Sequence, residues 1–445
     1  PDLGVSVSAT DDVLLAKDEL LTVLTADVEG DADGLTYRWT RGESDAVLGT
    51  ERTLAVDLTD LGTTRYFVRV TNAAGLEADG FIDLKVYPSK VYVRQVNPGA
   101  MPPFASYATA ATNLHEAVAA AENGSEVIVD DGSYRLNSTL RVLNPIPIRS
   151  VNGPEKTTIW SSTKFRVIEY SASGCTFSGF TVTNGWVSKA QYDNNGVGGG
   201  NVFVSNGATV DNCIIAYGSG ERQAGGLGVG VYNATLRNSR IFGHSVKGGV
   251  VESAGMSQII DGVGLCVAGA DSVVSNCQIT GNALYGAHKN FEASAGVALK
   301  AGKVTHCLIA GNVRTDGWEG SQRLMGAGVF QSGGSLVNCT VASNSCGKAG
   351  WGGVRQTGGT AKNCIVWSNT VDGETGNATL KACTYTCTTP LASGEGNLDA
   401  DPKFRRTRRH EWHIPLRSPC AKAGENGYFM GWSEPVPDGI IVIVR

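Results

Sequence analysis

The sequence predicts an all-β chain, with a small sandwich of strands at the front and a long solenoid of stacked strands behind it. Three observations predict it. Glycine is abundant, at 58 of 445 residues, against an average usage of ~7 %. Charged residues are scarce at 18 % while apolar residues reach 42 %, a balance that excludes disorder, coiled coils and helical bundles. From residue 198 onward, finally, the chain repeats itself in units of short strands and glycine-containing turns, the pattern of a solenoid.

The front segment, residues 1–88, contains no cysteine. Its β-rich runs are LLTVLTADV (20–28), LTYRWTR (35–41), TLAVDL (53–58), RYFVRVTN (65–72) and GFIDLKVY (80–87). Turn clusters such as GDADG (30–34) and NAAG (72–75) separate them, the spacing of an antiparallel sandwich. Tyr37, Trp39, Asp60, Gly62, Tyr66 and the VTNAAG stretch make this segment similar to the Ig-like and PKD-like modules of secreted bacterial proteins. The resemblance implies that Trp39 is the core tryptophan and Tyr66 the corner tyrosine. Val68 stands where a true immunoglobulin domain has its second cysteine, so no inter-sheet disulfide is expected. Such modules act as spacers or glycan-binding additions.

The repeats include GGGNVFVSNGATVDNCIIAYG, AGVALKAGKVTHCLIAGN and GAGVFQSGGSLVNCTVASN. Aligned on the tail of the motif, one column holds Cys213, Ser239, Cys277, Cys307, Cys339 and Cys364, at steps of 25–38 residues. If each copy forms one rung, neighbouring rungs lie ~4.8 Å apart and equivalent side chains stack. Cysteine is small, apolar and commonly buried, so a column of thiols fills an interior well. Five residues further on, Asn282, Asn312, Asn344 and Asn369 form a second column. Stacked asparagines can satisfy corner backbone groups and bond to one another. His244 occupies the same column and reads as a substitute in the ladder rather than as a catalytic group.

Ahead of the repeats, ATNLHEAVAAAENG (111–124) reads as a short helix, with Thr112 or Asn113 as cap and Gly124 at its end. It would cover an otherwise unpaired sheet edge. With these residues, the span 89–424 resembles the right-handed parallel β-helix of the pectin-lyase-like superfamily. That superfamily holds lyases, hydrolases, adhesins and inert scaffolds, so the likeness implies a fold and not an activity. The GxGV and IxxN elements, for example Gly326 to Val329 and Val341 to Asn344, also resemble the paired motifs of polymorphic outer-membrane adhesins.

Insertions between rungs all leave one edge of such a helix and would form one surface. It carries Trp186, Tyr192, Glu221, Arg222, His288, Lys289, Glu292, Arg314, Asp316, Trp318, Glu319 and Arg323. Aromatic faces among hydrogen-bonding charges suit sugar rings, and loops over a rigid scaffold commonly carry binding residues. A uronate lyase needs a base and an acid, which Lys289, Arg314 and His288 can supply. A glycosidase needs two carboxyls ~5–9.5 Å apart, and Glu292 with Asp316 or Glu319 is the best pair. Neither set matches a known motif of those enzymes. The favoured expectation is therefore an extracellular or cell-surface structural or adhesive protein. The alternative is a polysaccharide lyase, a glycoside hydrolase or a non-catalytic glycan binder using this loop face.

The tail, 425–445, ends in Ile440, Ile441, Val442, Ile443, Val444 and Arg445. An exposed strand of this kind must be covered, and it can add to another copy of the chain head to tail. Cys383, Cys387 and Cys420 lie outside the thiol column. In a secreted chain Cys420 is expected to bridge to one of the other two, whereas the stacked thiols should stay reduced. Partners are thus expected to be copies of the chain itself or extracellular polysaccharide. The net charge of −5 and the lack of a long basic stripe argue against nucleic acid. The run FRRTRRH (404–410) reads as a solvated turn near the C-terminal end, or otherwise as a contact for an anionic glycan or a partner. His288 and His413 have no partners at metal-ligand spacing, so neither a metal nor another cofactor is expected. No run approaches the ~18 apolar residues of a membrane span. The chain opens on Pro1 without a Met or a signal segment, which reads as a trimmed form of something longer.

Overall fold

The computed structural model describes residues 3–11, 14–16, 21–188, 196–220, 226–247, 258–260, 262–287, 291–316, 326–347, 350–405 and 412–437. For Lys247, residues 258–260, 286–287, 291–293 and Asp316 it describes the backbone alone. The chain divides into two compact units, 1–129 and 130–445.

In the first unit, β1 (Leu3–Ala9), β3 (Leu21–Gly30) and β6 (Thr53–Asp57) form one antiparallel sheet. A second sheet has the order β2 (Leu14–Ala16), β8 (Glu77–Pro88), β7 (Gly62–Thr71), β4 (Thr36–Arg41), β5 (Ser44–Gly49). Alternation along the strands turns Leu24, Ala26, Trp39, Leu54, Val56, Val68 and Val70 into one buried core between the sheets. Trp39 is fully buried and its indole N–H donates to the Glu51 carbonyl at 2.9 Å, which satisfies the only polar atom of a large apolar side chain. Val68 packs in that core without a disulfide. The unit continues through β9 (Lys90–Val93), α1 (Leu114–Ala120) and β10 (Glu126–Val129), with β9 and β10 parallel. Asn113 caps α1 by accepting the His115 N–H at 2.8 Å, while Leu114 and Ala117 supply its buried face.

The second unit is a right-handed parallel β-helix. One rung shows the construction: Val202–Ser205, Thr209–Asp211 and Ile214–Ala216 belong to three different sheets, and each pairs in parallel with its counterpart in the rungs before and after. The first face runs from Leu140–Val142 to Ala378–Thr379, and the second from Ile148–Ser150 to Cys383–Thr384. The third runs from Gly132–Leu136 to Cys387–Thr388. Three-residue strands place one side chain inward and two outward. Inward, the third face stacks Val182, Ile215, Ile241, Ile279, Ile309, Val341 and Val366 in register. All are fully buried, each favouring the folded state by about 1.5–3 kcal/mol relative to exposure.

The corner between second and third faces needs a left-handed residue, and asparagine tolerates that conformation best among non-glycines. Asn212, Asn238, Asn276, Asn338 and Asn363 stand there with φ between 47° and 54°, and His306 with φ 51°. The residue that follows is the thiol column. Cys213, Cys277, Cys307, Cys339 and Cys364 are all 0–2 % exposed, and each thiol donates to the carbonyl two residues earlier at 3.2 Å. Cys277, Cys307 and Cys339 touch through their sulfurs. Burial pushes the Cys213 and Cys364 thiols up to about 12, so these two are neutral, whereas at Cys307 burial is opposed by hydrogen bonds from Cys277 and Cys339, which act in the opposite direction.

All eleven cysteines are thiols, which corrects the expectation of a C-terminal bridge. Cys420 does meet Cys387, and that hydrogen bond is the main cause of its raised pKa. Both sit in an apolar cluster with Ile365, Ile414 and Met430. Cys383 instead lies against Asn397, whose Nδ2 donates to its sulfur at 3.3 Å.

Candidate functional site

Beyond the third face, the asparagine column turns each rung outward. The backbone N–H and the Nδ2 of Asn312 both donate to Asn344 Oδ1 at 2.9 Å, and its Nδ2 also donates to the Ile279 carbonyl at 3.0 Å. Asn282, Asn344 and Asn369 repeat the arrangement, and Asn377 closes it by donating to the Thr389 carbonyl at 2.8 Å. His244 joins the ladder at its start. Its Nδ1 accepts the Gly218 N–H at 2.8 Å, its Nε2 lies 3.0 Å from the Ile215 carbonyl, and its N–H donates to Asn282 Oδ1 at 3.2 Å. Two acceptor and donor roles of an asparagine are thereby filled by one imidazole, with the proton on Nε2. Burial lowers the His244 pKa to about 4, and Gly228 leaves room for it, since a Cβ there would lie 2.6 Å from Nε2.

Past the ladder, Ser245–Lys247, Ala283–Ala287, Val313–Asp316, Ser345–Cys346 and Thr370–Val371 pair in parallel and carry the insertions outward. Of the loop-face residues, Tyr192, Glu221, Arg222, His288, Lys289, Trp318, Glu319 and Arg323 lie outside the described residues, as do Ile440, Ile441, Val442, Ile443 and Val444 of the terminal strand. Glu292 and Asp316 are placed by their backbone in strands Phe291–Ala293 and Val313–Asp316. Trp186 is half-buried, with Lys164 Nζ 5.8 Å from its ring centre. Arg314 was expected on the exposed loop surface and is instead 1 % exposed. Its position in a paired strand turns it inward, where a loop would have left it in water.

Part of the outer surface of the first face is covered by the chain itself. Gly230, Cys266 and Ala298 stand in register as a trench of small outward residues between Phe203 and Phe330. Residues 196–199 lie in it. Val197 packs against Phe203, Cys266 and Ala298, and Lys300 Nζ donates to the Gly196 carbonyl at 2.8 Å. Arg166 Nε donates to Gly199 O at 2.9 Å and its terminal nitrogens reach Gly198 O and Glu169 at 3.3 Å. Gly230 is required for this approach, because a Cβ would meet Gly198 O at 2.6 Å.

A groove of about 650 Å³ opens instead on the third face. Its floor is Gln278 and Thr280, Arg240 stands at one end, and Trp412, His413 and Trp432 form the opposite wall. The wall belongs to the C-terminal segment, which covers the upper rungs: Trp412 packs on Leu308, Ala310 and Ala342. Trp432 donates its N–H to Thr340 Oγ1 at 3.2 Å and its indole N–H to the Trp412 carbonyl at 3.1 Å. The His413 ring meets Trp432 edge-on, with centroids 4.8 Å apart. Sequence reasoning missed this site. Two tryptophans outside any repeat, in EWH and GWS, were the available signal.

Among the described residues no group of three or more His, Cys, Asp or Glu side chains is placed to hold a metal ion. No helix among them is long and apolar enough to cross a membrane.

No protein-family model matches the sequence, and no curated protein matches it. Among solved structures the chain is similar to pectate lyase Pel9A, at 14 % identity and TM-score 0.45 over 78 % of this chain and 97 % of that one. It is similar to a rhamnogalacturonan lyase at 11 % identity and TM-score 0.36, over 72 % and 91 % of the two chains. A family 28 exopolygalacturonase from Yersinia enterocolitica matches at 11 % identity and TM-score 0.25, over 83 % and 84 %.

Proposed function

We propose that the protein is an extracellular β-helix of the structural or adhesive kind, a stiff scaffold rather than an enzyme. One observation carries the reading: the trench of small residues in the middle of the first face, Gly230, Cys266 and Ala298, is filled by residues 196–199, held by Arg166, Lys300 and Val197. Among the described residues, that trench is thereby occupied by the chain's own backbone and not left to a substrate. The ladders support the same reading, since the rungs from Asn282 to Asn377 are tied one to the next by asparagine side chains as well as by sheet hydrogen bonds. Stacked buried thiols and a neutral buried histidine fill the interior of the rungs. In this reading the Ig- or PKD-like sandwich is a spacer. The terminal strand 440–444 joins copies head to tail, and deleting 439–445 should abolish fibres seen by electron microscopy.

The test is incubation of the full chain with a panel of acidic and neutral polysaccharides, following unsaturated-product absorbance and reducing ends. No turnover is expected. Turnover on any of them would replace this reading with the lyase or hydrolase alternative.

A further inference from the structure

We propose that the groove on the third face is a glycan-binding site that takes an acidic oligosaccharide. It lies on the third face, not on the first-face trench that residues 196–199 occupy. The inference rests on the scaffold reading only for the absence of turnover.

Consider first the shape. Arg240, Gln278, Leu308 and Thr340 are successive outward positions in register. Among the described residues, the C-terminal segment covers this strip from Leu308 upward, while Arg240 is exposed and Gln278 partly exposed. Its edge therefore makes a step, with Trp432 and His413 rising beside a flat polar floor. Arg240 stands two rungs from Leu308, about 10 Å at the spacing of paired strands. A short run of linked sugars spans that length.

The chemistry of the walls selects the ligand. Trp432 is partly exposed and presents an apolar ring with a polar rim, which matches the C–H face of a pyranose. Gln278 and Thr280 offer donors and acceptors to hydroxyl groups at the floor. Such an open, polar trough is unsuited to a compact apolar molecule, which needs enclosure. Arg240 decides the charge. Its guanidinium lies 5.6 Å from the Phe242 ring centre and has no carboxylate partner among the described residues. No Asp or Glu is among the described lining residues, although the chain as a whole carries a net charge of −5. A fork of donors without a carboxylate partner among the described residues, at the end of a sugar-sized trough, fits a carboxylate or sulfate substituent.

The experiment is titration calorimetry of the full chain with oligogalacturonates, a sulfated oligosaccharide and a neutral oligosaccharide of equal length, alongside an acidic peptide. Binding of the acidic glycans is expected, weakening as salt is raised. Arg240→Gln, an exposed position whose loss leaves the fold intact, should lower their affinity at least about tenfold. Trp432→Ala should weaken acidic and neutral glycans alike. Circular dichroism of both variants confirms that the rungs remain. The proposal is overturned if no acidic glycan binds, if Arg240→Gln binds as the parent does, or if the acidic peptide binds and the glycans do not. Turnover in the same samples would sink the scaffold reading and leave the groove standing.

Discussion

Replacing His244 with asparagine should remove a specific acid sensitivity from the β-helix. The imidazole is fully buried and accepts a hydrogen bond at Nδ1 from Gly218, so only the neutral ring fits the ladder. Burial lowers its pKa from 6.5 to about 4. The unfolded chain therefore binds a proton near pH 6.5 that the folded chain refuses until about pH 4. Its stabilising contribution is complete above pH 6.5, falls away as pH drops from 6.5 towards 4, and is constant below. At pH 4.5 the loss relative to pH 7.5 amounts to about 2.5 kcal/mol. Asparagine offers Oδ1 to the Gly218 N–H and Nδ2 to the Ile215 carbonyl, as Asn282 does for the His244 N–H and the Ile241 carbonyl one ladder step away. It does not titrate. The smaller side chain leaves a void costing about 1 kcal/mol at every pH, which cancels in the comparison. The assay is urea unfolding of both proteins at pH 4.5 and 7.5, read on the β-helix transition. Carboxylates titrate equally in both, so the double difference isolates residue 244. Equal pH dependence in His244→Asn and the parent would refute the reasoning.

Three further outcomes are expected. Asn312→Ala deletes donors to Asn344 and Ile279 and the acceptor of Asn282, so the β-helix should lose about 3 kcal/mol or more; thermal unfolding measures it, and a change below about 0.5 kcal/mol would remove the ladder as a source of stability. Native protein treated with an aromatic disulfide reagent should titrate one thiol quickly, Cys175, since the other ten cysteines are buried. Gly230→Val places a side chain where Gly198 O and Val197 lie. Residues 196–199 should lift, and Cys266, fully buried in the parent, should become reactive to the same reagent; continued protection would show that the trench tolerates the extra atoms.

The division between what was legible and what was not follows the repeat. The all-β class, the sandwich and the stacked rungs were readable because each rung repeats one environment, and a repeated environment selects the same residue. Cysteine recurs where a small apolar group must sit under the next rung, and asparagine recurs at the two corners, left-handed at Asn276 and ladder-forming at Asn282. The period alone exposes both columns. His244 could be recognised as a ladder member for the same reason. Its tautomer and its lowered pKa required the Gly218 and Ile215 partners to be located.

What the chain lays over those rungs obeys no period. Arg240 and Trp432 are almost two hundred residues apart in sequence and share a groove because the described part of the C-terminal segment packs on the neighbouring rungs. Gly196 meets Lys300 across several rungs, and no local pattern announces that residues 196–199 will lie in the trench. Arg314 reads as a loop cation until strand pairing turns it inward. Sequence by itself determined the staircase, because stacking is a nearest-neighbour interaction in which one tread dictates the next. Only the tertiary structure decided which faces stay open, because covering a face depends on the path of a non-repeating segment and on the few side chains that pin it.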